Sequence, residues 1–351
     1  MSRLTYHPLR VLEVIEETAD ARSVVFEIPS ALQASFAYKP GQHLQLHVPC
    51  GDKPIPRCYS LSGSPHVPGD PVRVTVKRVA DGRASNWLCA TLKAGDMLEV
   101  AAPAGMFSPK GLDGDFLMFA GGSGITPVYS IVRSVLLSGK GRVRLVYANR
   151  DERSVIFGKA LAKLSLEHPT RLEVIHWLDS VQGVPSQAQL AGLARGWVHD
   201  WNSGAQAFIC GPTPFMDAAA AAMKEAGLSH ANVHIERFVS LPDDADDEAV
   251  SANPAPAGTG DTQVTAELDG VVTQTTCGPG QLLIEALENA GMAPPFSCRS
   301  GACAACMCKL DEGEVEMVHN HVLAESDIQA GWILCCQAIP KSPKVKISYP
   351  A

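Results

Sequence analysis

The sequence has 351 residues, of which 46% are hydrophobic and 19% charged, and this composition predicts two or three globular domains. No apolar run approaches the about 20 residues that a membrane-spanning helix needs, so we expect no membrane protein. The 11 cysteines show no pairing framework and no apolar N-terminal segment resembles a signal peptide, so we expect a cytoplasmic protein without disulfides.

Charged residues are distributed unevenly along the chain. Residues 1–238 contain 24 Lys and Arg against 21 Asp and Glu, whereas residues 239–351 contain 5 against 16. The C-terminal part is therefore acidic, which disfavours nucleic-acid binding and suits docking onto a basic patch of a protein partner.

Residues 1–110 predict a small antiparallel β-barrel, because short alternating segments such as residues 72–79 are separated by Gly and Pro turns. In the same region Arg57, Tyr59 and Ser60 place a guanidinium, an aromatic face and a hydroxyl close together. On a strand, Arg57 and Tyr59 would share one face, where Arg can pair with a pyrophosphate and Tyr can stack on a flat ring. An ordinary surface strand would show the same pattern.

Residues 111–240 contain apolar strands that alternate with helical segments, which predicts a parallel, doubly wound α/β sheet. Gly121, Gly122 and Gly124 follow its first strand, and we expect Thr126 to cap the next helix, with Pro127 in the first turn. Glycines at such a turn let a phosphate approach the helix N-terminus, although they also serve simple packing.

Residues 241–262 are rich in Pro, Ala, Gly and Asp and show no apolar periodicity, which predicts a flexible linker. Beyond it, Asp269 and Gly270 lie between two β segments and predict a hairpin. A helix is expected over residues 281–290, with Gly291 as its cap. Two strands, a helix and a cysteine-containing loop resemble the β-grasp fold of plant-type ferredoxins.

Cys298, Cys303 and Cys306 are spaced C-x4-C-x2-C, and further cysteines follow after a long gap. This is the ligand spacing of a plant-type [2Fe-2S] cluster, which transfers one electron at a time. Either Cys335 or Cys336 is available as the fourth ligand. A zinc site is the weaker alternative, because zinc motifs usually consist of two separated pairs.

Three motifs, RCYS at residues 57–60, GGSGITP at 121–127 and CGPTPFM at 210–216, together resemble the ferredoxin-NADP reductase superfamily. With the C-terminal module, the whole chain apart from the linker resembles the reductase components of multicomponent oxygenases. It is most similar to the reductases of 3-ketosteroid 9α-hydroxylases, with those of phenylacetyl-CoA epoxidases as near relatives.

The resemblance implies an FAD-binding barrel over residues 1–110, an NAD(P)H-binding α/β domain over 111–240, the linker over 241–262 and a [2Fe-2S] ferredoxin domain over 263–351. It implies an enzyme in which NADH reduces FAD and electrons pass singly through the cluster to a terminal oxygenase. Residues 149–154, NRDERS, offer acids for a ribose hydroxyl and arginines for a 2′-phosphate, and we expect NADH rather than NADPH.

The resemblance also implies the site residues. Ser60 and Cys210 would lie at the reacting rings of flavin and nicotinamide. The residues implied for FAD are Arg57, Tyr59, Ser60, Lys77, Gly82, Arg83, Ala84 and Ser85, with Phe238 over the flavin face. Those implied for the pyridine nucleotide are Gly121, Gly122, Gly124, Thr126, Gly211 and Pro212. The implied cluster ligands are Cys298, Cys303, Cys306 and Cys336, the last because the family places a cysteine directly before a glutamine.

One departure and two alternatives accompany this interpretation. Members of the family often have a glycine where this chain has Ala304. The acceptor could be a Rieske-type hydroxylase that acts on a steroid or an aromatic compound, or a diiron epoxidase or other monooxygenase. An iron–sulfur redox sensor, which would need no hydride donor, is the second alternative.

Overall fold

The computed structural model describes residues 5–51, 53–198, 204–238, 261–268, 270–296, 299, 301–323 and 325–349. The chain divides into an N-terminal unit, Tyr6–Phe238, and a C-terminal unit, Val239–Ala351 with Met1–Thr5. Most of the expected linker lies outside the described residues. Within the described part of the chain, no helix is long and apolar enough to cross a membrane.

The first half of the N-terminal unit is a six-stranded antiparallel sheet. Its elements are β1 Tyr6–Thr18, β2 Ala21–Glu27, β3 His43–Val48, β4 Ile55–Ser60, β5 Arg73–Lys77, α1 Arg83–Ala90 and β6 Met97–Ala101. The strand order is β4-β3-β6-β1-β2-β5, and a bridge between Leu61 and Val74 joins the two edge strands. The sheet therefore closes into the expected barrel.

The second half of this unit is a five-stranded parallel sheet with the order β11-β10-β7-β8-β9. Its elements are β7 Asp115–Gly121, α2 Ile125–Ser138, β8 Arg142–Asn149, α3 Gly158–Glu167, β9 Leu172–Leu178, α4 Asp179–Gln182, α5 Gln187–Val198, β10 Gln206–Cys210, α6 Thr213–Glu225 and β11 Val233–Glu236. Alternate side chains of β7 face two apolar layers: Phe116 and Met118 pack with α2 and α3, and Leu117 and Phe119 pack with α5 and α6. Helices on both faces confirm the doubly wound α/β prediction.

Hydrogen bonds attach the barrel to α2. The Ser130 hydroxyl donates to the Gly63 carbonyl at 2.5 Å, and the Ser64 and Ser134 hydroxyls are 2.8 Å apart. Arg133 pairs with Asp70, whose carboxylate also accepts from the Ser64 amide. These buried contacts fix β4 of the barrel relative to the parallel sheet.

The C-terminal unit is a mixed sheet with a short helix packed on it. Its elements are β12 Thr262–Leu268, β13 Val271–Cys277, α7 Leu283–Asn289, β14 Met307–Glu312, β15 Val315–Met317, α8 Glu325–Gln329, β16 Trp332–Leu334, β17 Ala338–Pro340 and β18 Lys344–Ser348. The five-stranded sheet has the order β13-β12-β18-β14-β16, and β15 pairs with β17. Pairing of Leu268 with Val271 confirms the expected hairpin, although Asp269 itself is outside the described residues.

Candidate functional site

Strand β4 carries the residues expected at the flavin. It pairs antiparallel with β3, so that Leu44 lies opposite Tyr59 and His43 opposite Ser60. Burial raises the pKa of the Tyr59 hydroxyl, so its ring stays neutral. A neutral phenol beside a guanidinium suits a flat, phosphate-bearing ligand such as FAD.

The start of α1 provides the second part of the expected FAD site. Gly82 precedes the helix, and the Ser85 hydroxyl accepts a hydrogen bond from the Val79 amide at 3.1 Å, which orders the turn. The Arg83 guanidinium donates to the Cys50 carbonyl at 3.1 Å. A helix N-terminus with an arginine at its first residue attracts phosphate groups, so these residues fit FAD phosphates.

Lys77, expected among the flavin residues, also faces the nucleotide loop. Its ammonium nitrogen is 3.8 Å from an Asp20 carboxylate oxygen. A Cβ atom at Gly122 would lie 3.8 Å from the same nitrogen. The structure therefore places this cation between the barrel and the glycine turn.

The glycine turn differs from the sequence prediction at its cap. Gly122–Gly124 forms a 3-10 turn that leads directly into α2, which begins at Ile125. Thr126 is thus inside the first helical turn, where its hydroxyl donates to the Ser123 carbonyl at 3.0 Å. The prediction that Thr126 caps this helix was wrong, because Gly124 already has a helical conformation.

The three glycines of this turn have different roles. A Cβ at Gly124 would lie 2.1 Å from the Cys210 carbonyl oxygen, and one at Gly121 would lie 2.7 Å from the Pro212 ring. Gly122 has φ +53°, a conformation that L side chains rarely adopt. Gly121 and Gly124 therefore let the turn pack against Cys210 and Pro212, where β7 and β10 end side by side. This is the point at which the strand order reverses, and doubly wound sheets bind nucleotides there.

Sequence analysis missed two residues beside Ser60 and Cys210, the buried His43 and the partly buried Glu236. The Ser60 hydroxyl donates to Glu236 Oε2 at 3.4 Å, and His43 Nδ1 is 4.0 Å from Glu236 Oε1. Cys210 and Glu236 are register partners on β10 and β11. The sequence signal that could have identified Glu236 is a lone acidic residue at the end of an apolar strand, in the sequence HIERF.

Burial controls the protonation of this group. It raises the pKa of Glu236 to about 7, although the His43 charge and the Ser60 hydrogen bond act in the opposite direction. Burial, and then the charge of Glu236, raises the pKa of the Cys210 thiol, which therefore stays protonated. Phe238, expected over the flavin face, lies just beyond β11 and is 45% exposed.

The cysteine loop follows a strongly curved path. Arg299, Gly301 and Ala304 all have positive φ, at 54°, 73° and 53°. A Cβ at Gly301 would lie 2.6 Å from the His319 carbonyl oxygen, so this position needs glycine. Ala304 adopts a conformation that a glycine would adopt more readily.

The structure distinguishes between the two adjacent cysteines. The Cys336 side chain lies beside that of Cys306, whereas the Cys335 side chain lies beside that of Cys308. Cys336 is therefore the member of the pair that lies beside an expected ligand. Thiolates from Cys303, Cys306 and Cys336 fit a [2Fe-2S] cluster in kind, and the fourth expected ligand, Cys298, is outside the described residues.

No group of three or more His, Cys, Asp and Glu side chains among the described residues is close enough to hold a single metal ion. A plant-type cluster instead spreads four thiolates over two irons. Gln337, which sequence analysis missed, joins the parts of this region. It is 5% exposed, and its Nε2 donates to the Arg299 carbonyl at 2.7 Å and to Cys336 Sγ at 3.8 Å.

Comparison with known proteins agrees with this architecture. The chain matches an oxidoreductase FAD-binding domain over residues 8–108, an oxidoreductase NAD-binding domain over 118–221 and a 2Fe-2S iron-sulfur cluster binding domain over 266–341. The solved phthalate dioxygenase reductase covers 98% of this chain and 98% of its own, with a TM-score of 0.57 at 24% identity. At that identity the likeness shows the fold alone.

Curated relatives are more similar. The 3-ketosteroid-9-alpha-monooxygenase, ferredoxin reductase component, of Rhodococcus rhodochrous is 48% identical over 345 residues, which cover 97% of this chain and 96% of the relative. One of the subunits of the 1,2-phenylacetyl-CoA epoxidase of Escherichia coli (strain K12) is 32% identical, with 99% of this chain and 98% of the relative covered.

The fold and its sites define an iron–sulfur flavoprotein oxidoreductase that uses a pyridine nucleotide. The chain belongs to the family of reductase components of multicomponent oxygenases, which transfer electrons to a terminal oxygenase. In such an enzyme the nicotinamide supplies a hydride, FAD divides the electron pair and the cluster passes single electrons onward. The expected resemblance, fold class, cofactors and enzyme class are confirmed, and the redox-sensor alternative does not fit. The exact domain boundaries and the role of each site residue stay predictions.

Proposed function

We propose that this chain delivers electrons from NADH to the terminal oxygenase of a 3-ketosteroid 9α-hydroxylase of the Rieske type. The observation that carries this proposal is the 48% identity to the reductase component from Rhodococcus rhodochrous over nearly the full length of both chains. A second such relative, from Mycolicibacterium smegmatis, is 47% identical over 350 residues.

The charge distribution supports a protein acceptor. Residues 239–351 contain 16 acidic against 5 basic side chains. We expect this acidic unit to dock on a basic surface of the oxygenase around its metal centre. Docking of opposite charges accelerates encounter and weakens as salt screens the charges.

Reconstitution tests the acceptor. The purified chain, NADH and each candidate oxygenase are combined, and hydroxylated product is measured per NADH consumed. We expect tightly coupled turnover with the oxygenase of a 3-ketosteroid 9α-hydroxylase, falling as the salt concentration rises. Tighter coupling with a phenylacetyl-CoA epoxidase would favour the second candidate, to which the 32% identity points.

We further propose that Asp179, rather than Asp151, recognises the ribose of NADH. Asp151 is occupied, because its Oδ1 accepts from the Ser154 amide at 2.9 Å and from the Ser154 hydroxyl at 2.7 Å. Asp179 follows β9 at the carboxyl edge of the sheet, and its Oδ1 is buried without a hydrogen-bond partner among the described residues. A carboxylate there accepts from a ribose hydroxyl and repels a 2′-phosphate.

Cofactor preference tests this assignment. Asp179→Asn should lower kcat/KM for NADH about tenfold and narrow the preference for NADH over NADPH, since a hydrogen bond to a charged group is lost. Asp151→Asn, which removes a charge next to the same edge, is the matched control and should keep the preference. If Asp151→Asn narrowed the preference for NADH and Asp179→Asn did not, ribose recognition would be assigned to Asp151 instead.

A further inference from the structure

A histidine of the barrel faces a partly buried carboxylate of the parallel sheet. His43 begins β3, is 3% exposed and exchanges two backbone hydrogen bonds with Ala104, at 2.8 and 3.0 Å. Its Nδ1 is 4.0 Å from Oε1 of Glu236, whose side chain is 13% exposed. An imidazole and a carboxylate from different parts of the N-terminal unit thus share one buried space.

Backbone packing holds the imidazole in this position. Gly105 has φ +111°, and a Cβ atom there would lie 2.8 Å from His43 Nδ1. The glycine therefore leaves room for the ring directly beside the backbone. Because the Gly105 backbone and the Glu236 carboxylate both lie beside Nδ1 of this buried ring, the contact of His43 with Glu236 is a property of the fold.

Among the described residues, His43 is the side chain in contact with Glu236 that can carry a positive charge. Cys210 on β10 is its register partner, but burial keeps that thiol neutral. Ser60 on β4 donates a hydroxyl. Arg237, the next residue in the chain, pairs with Asp217 at 2.7 Å. Of these side chains, protonated His43 is the one that can stabilise the carboxylate by charge.

We propose that His43 is a positioning residue of the redox site, which holds Glu236 as a carboxylate and thereby directs the Ser60 hydroxyl toward it. With Glu236 ionised, the Ser60 hydrogen points to Oε2 and the hydroxyl lone pairs face the flavin site. When Glu236 is protonated, its own hydroxyl can donate to Ser60 Oγ, and the Ser60 hydrogen is released toward the flavin site. The His43–Glu236 pair thus sets the pH at which the hydrogen bonding of Ser60 reverses. This inference rests on the assignment of Ser60 to the flavin.

The experiment follows the Glu236 carboxyl directly. The full chain with its flavin and cluster is prepared unaltered and as His43→Gln, Glu236→Gln, the double variant and His47→Gln. His47 lies on the same strand, half-buried and stacked on Tyr6, and is the matched control. The infrared band of protonated carboxyl groups is titrated with pH in the oxidised protein, and the rate of flavin reduction by NADH is measured over the same pH range.

We expect His43→Gln to raise the midpoint of the Glu236 carboxyl band by about one pH unit, since an opposite charge at this distance is lost. The midpoint of the rate profile should move by the same amount, and His47→Gln should move neither. Glu236→Gln should remove the band, and adding His43→Gln to it should leave the rate profile unchanged. The proposal would be overturned if the carboxyl midpoint did not move in His43→Gln. It would also be overturned if His43→Gln shifted the rate profile by the same amount in the Glu236→Gln background as in the unaltered chain.

If His43→Gln does not retain flavin, a second measurement tests the proposal without that variant. In the unaltered chain labelled with 15N-histidine, the ring nitrogens of His43 should change chemical shift with the Glu236 titration and should lose this response in Glu236→Gln. Rings that do not respond would refute the coupling. Neither the infrared nor the nitrogen titration needs NADH or an oxygenase, so a wrong acceptor and a wrong role for His43 give different results.

Discussion

Glu236 makes the stability of the N-terminal unit depend on pH, and the effect can be calculated. Burial raises the pKa of this carboxyl from 4.5 to about 7. The folded state therefore binds the proton more tightly than the unfolded state. Its contribution to stability is complete below pH 4.5 and is lost as the pH rises through about 7. At about 1.36 kcal/mol per pH unit, the total is about 3 kcal/mol.

The substitution Glu236→Gln removes this dependence, because the amide does not ionise. Relative to the unaltered chain, the variant should gain about 2.5 kcal/mol in free energy of unfolding between pH 5 and pH 8. The measurement is urea unfolding of both proteins at the two pH values, followed by the fluorescence of the N-terminal unit. Glu225→Gln, at an exposed ion pair with Arg195 in the same unit, is the control. A constant difference between Glu236→Gln and the unaltered chain at both pH values would refute a raised pKa.

Three further predictions concern the C-terminal unit. Gln337→Leu removes a hydrogen bond to the sulfur of Cys336, the expected fourth ligand, and should lower the cluster midpoint potential by about 30–60 mV in an EPR-monitored titration, whereas Gln329→Leu on exposed α8 should not change it. Ala304→Gly relieves a residue with φ +53° and should stabilise the cluster-bearing unit by about 1 kcal/mol, measured as loss of cluster absorbance in urea. Gly301→Ala should instead prevent cluster assembly, measured as iron and sulfide content, because its Cβ would lie 2.6 Å from a carbonyl oxygen.

Features that depend on local sequence were predictable. Alternation in residues 72–79 indicates a half-buried strand, and the apolar run of β7 indicates a strand covered on both faces. Cysteine spacing indicates the cluster type, because a loop around two irons needs ligands at fixed intervals. Each of these signals is contained within about ten residues.

Features that depend on orientation were not predictable. Asp151 is of the residue type expected at a ribose-binding position. Its carboxylate instead accepts hydrogen bonds from the amide and hydroxyl of Ser154, three residues later in the same turn. Cys335 and Cys336 are equivalent in sequence, yet their side chains contact different cysteines. The His43–Glu236 contact joins residues of the barrel and of the last strand of the parallel sheet, so no local pattern contains it.

The geometry of the redox site therefore depends on how the barrel is fixed to α2. Ser60 and His43 come from paired barrel strands, whereas Cys210 and Glu236 come from paired strands of the parallel sheet. The contacts that hold the two parts together start only three residues beyond Ser60, at Gly63, and continue through Ser64 to the partly buried pair of Arg133 with Asp70. Because a 3.4 Å hydrogen bond between Ser60 and Glu236 has little room to lengthen, a small rotation between the parts would break it. The polar contacts along α2 thus help to fix the position of Ser60, the residue expected at the flavin, although they lie outside the site.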